Sequence, residues 1–146
     1  MPGPRREHVV VTGAAGFIGS HLAEALLDRG REVVGIDAFT GQVPPAEKWA
    51  NLSCLLVRPG FELDRLDLAT ADLGDPLEGA AAVFHQAARP GVRTSFGQGF
   101  AGYLHDNVLA TQRLLEAGRG AAAGPRLVVQ CLRERLCWRI YEAWTW

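Results

Sequence analysis

Val9-Val10-Val11-Thr12-Gly13-Ala14-Ala15-Gly16-Phe17-Ile18-Gly19-Ser20-His21-Leu22 decides the fold of this chain. The run Val9 to Thr12 is β-branched throughout, which predicts a strand buried on both faces. A glycine-punctuated turn follows, and Ile18, Leu22, Ala25 and Leu26 then recur at helical spacing to about Gly30. Strand, glycine turn and helix, in that order, are the context in which a glycine triplet reads as a dinucleotide-binding signal. Gly13 lets the chain leave the strand in a tight turn, Gly16 lets the backbone approach a pyrophosphate, and Gly19 lets the helix lie close to the strand. The helix start then presents free N–H groups and the positive end of its dipole to phosphate. The spacing is Gly-x-x-Gly-x-x-Gly, a variant of the commoner Gly-x-Gly-x-x-Gly.

Beyond the helix, Arg31 to Asp37 reads as a second strand ending in an acid. Asp37 stands where a dinucleotide site places the carboxylate that binds the adenosine ribose. A carboxylate there accepts from the 2′-OH of NAD and repels the 2′-phosphate of NADP, so NAD is the expected cofactor. Ala38 to Gly60 is loop-like, with Pro44-Pro45 opening a short helix through Lys48, Trp49 and Leu52, Trp49 as a packing residue. Phe61 to Leu66 forms a third strand that reaches Asp67-Leu68. Asp72-Leu73 is a rival for the acid at its end. Asp67 is preferred because a crossover helix must still fit before the next strand, and Pro76 to Gly79 is too short to hold one.

Ala81 to Ala88 is a fourth strand running into its loop, where Ala87 and Ala88 suit a backbone passing beside a cofactor. His85, at the end of an apolar strand, reads as structural rather than catalytic. Arg89 to Gly99 is a loop at the carboxyl ends of the strands, where ligands bind in such sheets. Its Arg93 reads either as a phosphate or sugar-acid contact or as a solvated side chain. Phe100 to Gly118 predicts a long helix with Tyr103, Leu104, Val108, Thr111, Leu114 and Leu115 facing inward and Asn107 upon it. A Gly/Ala linker to Pro125 leads to a fifth strand, Arg126 to Gln130.

With 146 residues the chain is long enough for one domain with a proper core. A net charge of −1 gives no reason to expect nucleic acid or a charged membrane surface as partner. Three cysteines at unrelated spacings and a start without the apolar stretch of a secretory leader point to the cytoplasm. No window holds the roughly 18 unbroken apolar residues of a membrane span. No metal site is expected.

Taken together, Thr12-Gly13-x-x-Gly16-Phe17-Ile18-Gly19-Ser20-His21-Leu22, Asp37, Asp67-Leu68, Val83 to Ala88 and Asn107-x-x-Ala110-Thr111-x-x-Leu114-Leu115-Glu116-Ala117 resemble the NAD-dependent epimerase/dehydratase family of extended short-chain dehydrogenases/reductases. Pro90 to Ser95 and Ile36 to Thr40 look most like its UDP-glucuronate 4-epimerase and dTDP-glucose 4,6-dehydratase branch. The resemblance implies tightly held NAD, a nucleotide-sugar substrate and, as one arrangement, a homodimer. It implies that Gly13, Gly16, Phe17, Ile18 and Gly19 hold the pyrophosphate, and that Asp67 and Leu68 contact the adenine. Ala87, Ala88 and Asn107 fall on the nicotinamide side. It also implies a Tyr-x-x-x-Lys pair for acid–base work, with a Ser or Thr after the fifth strand.

That pair is missing. The chain's only lysine is Lys48, preceded four residues earlier by Pro44, while Tyr103 and Tyr141 are followed at that spacing by Asn107 and Thr145. No catalytic residue is assigned. The expected division is a partial cofactor domain over 1–130 and an atypical tail over 131–146, which holds three of the four tryptophans and two of the three cysteines. Two readings of the tail stand: a reading-frame change near Gln130, or an evolved amphipathic helix with Leu132, Leu136, Ile140 and Ala143 on one face. The expected fold is α/β, a truncated Rossmann-like parallel sheet of about five strands, order 3-2-1-4-5, with helices on both faces. Its expected function is the NAD-binding portion of a nucleotide-sugar epimerase or dehydratase. The competing class is a non-catalytic dinucleotide-binding regulatory or partner-binding module.

Overall fold

A computed structural model describes residues 7–120 and 125–129. Five parallel strands form one sheet: β1 (His8–Thr12), β2 (Glu32–Ile36), β3 (Phe61–Asp64), β4 (Ala80–His85) and β5 (Arg126–Val129). Their order is β3-β2-β1-β4-β5, as the sequence predicts. The connections carry α1 (Phe17–Asp28), α2 (Pro45–Leu52), α3 (Gly74–Leu77), α4 (Phe100–Tyr103), a π-helical stretch (Leu104–Leu109) and α5 (Ala110–Gly120). Two 3₁₀ turns, Arg93–Ser95 and Gly97–Gly99, precede α4.

Period-two alternation along the buried strands builds two cores. Val10, Val34 and Val83 face one side, packed with Leu77 of α3 and with Ala110 and Leu114 of α5. Val11 and Val33 face the other, against Ala23 and Leu27 of α1 and Leu52 of α2. Burial on both faces is why β1 is an unbroken β-branched run rather than an alternating one. Each fully buried Val or Leu contributes about 1.5–3 kcal/mol.

The glycine turn sets how these layers meet. Gly13 has φ +67°, and a Cβ there would stand 2.8 Å from the Ala87 backbone nitrogen. A Cβ on Gly19 would collide with the Gly13 carbonyl oxygen. Both positions therefore demand glycine, Gly13 for conformation and space and Gly19 for space.

Two sequence expectations change. Tyr103, Ala110 and Leu114 are buried in the α4–α5 region, but Leu104 and Val108 are exposed. Tyr103 and Leu114 face inward as predicted, while Leu104 and Val108 do not and Ala110 takes a buried place between Tyr103 and Leu114. A π-helical stretch separates α4 from α5, so a single 3.6-residue period does not carry the face across it. The crossover between β3 and β4, in turn, is the single turn Gly74–Leu77, placed after Asp72 where length argued against it. Residues 65–73 supply the remaining reach as loop, so the length argument for preferring Asp67 does not hold. The tail, 131–146, lies outside the described residues.

Gly19→Ala is expected to cost about 3 kcal/mol, because overpacking against backbone has no soft atom to yield. Urea denaturation followed by circular dichroism measures it, and a loss below about 0.5 kcal/mol would contradict the packing described.

Candidate functional site

A cleft opens at the carboxyl ends of the strands. Gly13 and Gly16 line it from the glycine turn, Ile36 and Asp37 from the end of β2, Asp67 and Leu68 from the loop after β3, and Gln86 to Pro90 from the loop after β4. Neighbouring β1 and β4 lead away in opposite directions here, which is where open α/β sheets bind ligands. Of the predicted site residues, the fold thus brings Gly13, Gly16, Asp37, Asp67, Leu68, Ala87 and Ala88 together.

Phe17, Ile18 and Gly19 do not line the cleft. Phe17 is 73% exposed and rests on His21, ring centroids 4.6 Å apart. What these three residues offer is backbone. Gly16 caps α1 with no side-chain hydrogen bond, and the first helical turn has no i−4 acceptors for its N–H groups.

Asp37 is the most heavily engaged carboxylate in the cleft. Its Oδ2 accepts from the Ala15 N–H at 3.1 Å, and its Oδ1 accepts from the Phe39 N–H at 2.8 Å and from Lys48 Nζ at 2.7 Å. The Asp37 and Lys48 side chains are only 5% and 9% exposed. Phe39 is held at φ +57°, rare for an aromatic residue, with Trp49 at 4.6 Å and the Arg65 guanidinium at 4.7 Å from its ring. Trp49 packs there as predicted, though it stays partly exposed. Lys48 is a cleft residue that sequence reasoning misses. Its one signal is being the sole lysine of the chain, placed on the helix just after the acid.

Asp67 accepts from the Ala69 N–H at 2.9 Å and from His105 Nε2 at 2.9 Å. Burial pushes the Asp67 carboxyl up, but its bonds to His105 and Ala69 outweigh that and hold it below the ordinary value. The same bond raises His105. Asp72 turns away to accept from the Gly74 N–H and does not line the cleft.

Asn107 does not line the cleft either. Its Oδ1 accepts from the Arg89 N–H at 2.6 Å and its Nδ2 donates to the Arg89 carbonyl at 3.0 Å, so it clasps the loop that forms one wall. His85 is structural, as predicted. The Thr111 hydroxyl donates to the Asn107 carbonyl at 2.7 Å, and so accepts from His85 Nε2 at 2.9 Å. His85 Nδ1 then accepts from the Thr12 hydroxyl at 2.7 Å, whose oxygen takes the N–H groups of Gln86 and Ala87 at 3.2 Å each. The chain of bonds selects the neutral Nε2–H tautomer and ties β1, β4 and the helix together. Arg93 is exposed outside the cleft, whereas Arg89, not singled out in the sequence, lines it and pairs with Asp106 through Nε at 2.6 Å. Among the described residues no three His, Cys, Asp or Glu gather as a metal site, and no helix is long and apolar enough to cross a membrane.

A parallel sheet of order 3-2-1-4-5 with a glycine turn and a β2-terminal acid at one cleft defines a dinucleotide-binding α/β protein. The family described as "NAD dependent epimerase/dehydratase family" matches residues 9–132, and the chain belongs to it. It is 52% identical over 112 residues to the uncharacterized UDP-glucose epimerase YtcB of Bacillus subtilis (strain 168), covering 76% of this chain and 35% of that protein. To UDP-glucuronate 4-epimerase 1 of Arabidopsis thaliana it is 39% identical over 123 residues, 82% of this chain and 28% of the relative. The chain thus spans about a third of the length of these relatives. The crystal structure of UDP-glucuronic acid 4-epimerase from Bacillus cereus in complex with NAD superposes with a TM-score of 0.77 at 39% identity, covering 84% of this chain and 39% of that one.

Burial holds His85 down, at about 4 against an ordinary 6.5. Between those values the unfolded chain binds the proton and the folded chain does not, so stability is full above about pH 6.5 and falls as pH drops toward 4. The expected loss is about 3 kcal/mol, because each tenfold change in proton affinity is worth roughly 1.4 kcal/mol. Urea midpoints across that range measure it, and His85→Gln should flatten the slope.

Proposed function

We propose that this chain is the NAD-binding portion of a nucleotide-sugar epimerase or dehydratase, and that it does not turn over substrate alone. The observation that carries the reading is the convergence of the glycine turn, Asp37, Asp67-Leu68 and Ala87-Ala88 on one cleft at the β1/β4 switch point. The cleft fits a dinucleotide on its own geometry. Nothing but bare backbone stands at Gly13 and Gly16, and the start of α1 is uncapped by any side chain, so phosphate oxygens meet N–H groups directly.

Asp37 keeps one lone-pair direction on Oδ2 after its three protein donors, enough for one ribose hydroxyl. Lys48 fixes that carboxylate and retains two further N–H donors beside it. Asp67 and Leu68 sit at the adenine end. NAD supplies the hydride acceptor when bound, and this chain contributes binding and orientation. The absent Tyr-x-x-x-Lys is the reason for assigning no turnover. The nucleotide-sugar assignment, with a UDP-sugar first, draws on the relatives' names, and the cytoplasm is the proposed location.

Isothermal titration with NAD and NADP tests the reading. Micromolar or tighter NAD binding is expected in the wild-type chain, weakened about tenfold in Asp37→Asn by loss of a charge-assisted hydrogen bond. NADP should be disfavoured in the wild type and less so in the variant. No NAD binding by a chain whose circular dichroism shows folded α/β structure would remove the proposal.

A homodimer is part of the same reading. Phe100, Leu104 and Val108 recur every fourth residue along α4 and the π-helical stretch and are exposed, as is Phe96 before them, apolar surface suited to self-association. Light scattering after size-exclusion chromatography should give the dimer mass for the wild type and the monomer mass for Leu104→Glu. A wild-type monomer at micromolar concentration refutes the dimer.

A further inference from the structure

In the sheet order β3-β2-β1-β4-β5, the strand that runs into the glycine turn lies between β2 and β4. The loop after β2 and the loop after β4 therefore leave the sheet on either side of that turn. Thr40 to Val43 of the first loop and Gln86 to Pro90 of the second line the same cleft as Gly13 and Gly16. A contact between the two loops has to cross the end of β1. Gln42 and Thr94 make one: Gln42 Nε2 donates to the Thr94 hydroxyl at 3.4 Å, between residues 52 apart in the chain.

The hydrogens along this link are fixed by its far end. Tyr103 donates its hydroxyl proton to the Pro90 carbonyl at 2.8 Å, so it accepts from the Thr94 hydroxyl at 2.5 Å. With its own proton committed to Tyr103, Thr94 can only accept from Gln42, which has to present its amide NH2.

The two sides of the link differ in firmness. Thr94 belongs to the 3₁₀ turn Arg93–Ser95, and the Tyr103 that holds it is only 8% exposed. A Cβ on Gly91 would stand 2.8 Å from the Tyr103 hydroxyl, so glycine there leaves that hydroxyl room to reach both partners. Asn107 clasps the same loop at the Arg89 backbone, at 2.6 and 3.0 Å. Gln42, by contrast, is exposed and follows Gly41, which has φ +95° and open space where a Cβ would stand. The loop after β4 is thus the fixed side. The loop after β2 is the side that swings, turning at Gly41 once a single neutral hydrogen bond at the surface breaks.

We propose that Gln42 and Thr94 form a latch that closes the cleft across the glycine turn, and that its opening lets a bound dinucleotide leave. Gln42 lines the cleft and Thr94 does not, so the Thr94 hydroxyl acts on the ligand only through the latch. This rests on the NAD reading above and extends it from what the cleft holds to how the cleft releases it.

The test is release of radiolabelled NAD from the intact chain, chased with excess unlabelled NAD and followed by rapid filtration. Thr94→Val keeps the shape of the side chain and removes its hydroxyl. It should raise the off-rate roughly fivefold, the scale of one neutral hydrogen bond. Gln42→Ala should raise it by the same factor, and the double variant should release NAD no faster than either, because both changes remove one bond. Both side chains are exposed, and an unchanged urea midpoint shows that each variant is folded. A wild-type off-rate in folded Thr94→Val overturns the latch alone. So does a double variant whose acceleration is the product of the two single ones, which makes Gln42 a direct contact instead. A wild-type chain that binds no NAD overturns the dinucleotide reading and the latch with it.

Discussion

The close approach of bare backbone at Gly13 and Gly19 is the constraint on which the rest of the structure depends. Gly19 lies against the Gly13 carbonyl and Gly13 against Ala87, so one turn fixes both the seat of α1 and the loop after β4. Neither contact tolerates a methyl group. The Thr12 hydroxyl, one residue earlier, accepts from the N–H groups of Gln86 and Ala87 and so ties the same junction with hydrogen bonds. The cleft exists because these elements are held at backbone distance rather than side-chain distance.

The charges around the cleft come in matched pairs drawn from separate elements. Asp37 after β2 is met by Lys48 of α2, Asp67 after β3 by His105 of the π-helical stretch, and Arg89 after β4 by Asp106 of the same stretch. A carboxylate removed from water needs compensation, and a partner on another element supplies it while fixing the distance between the two. Lys48 Nζ balances the Asp37 charge at 2.7 Å, and the three protein donors leave one acceptor direction on that carboxylate.

Much of this is legible in the residues. The β-branched run, the glycine turn and the acid at Asp37 lead to the sheet order and to most of the cleft, because strand burial, turn geometry and an acid at a strand's end each leave a local mark. The inward face of the helix region is not legible at Leu104 and Val108, since apolar size does not mean burial across a stretch that is π-helical. Resemblance alone puts Asn107 near the nicotinamide. The structure gives it a clasp on the Arg89 backbone, a role with no sequence mark because its partner lies 18 residues away.

By itself the sequence determined the class of fold, the order of its strands, the place of the glycine turn and the lack of a Tyr-x-x-x-Lys pair. These are consequences of short-range pattern: side-chain period, glycine at fixed spacing, residue type at the end of a strand. Only the tertiary structure decided which ionisable groups meet. Lys48 on Asp37, His105 on Asp67, Asp106 on Arg89 and His85 between two threonines are contacts across elements, set by how helices seat on the sheet. Seating is a packing outcome of both cores at once, and no single stretch of the chain contains it.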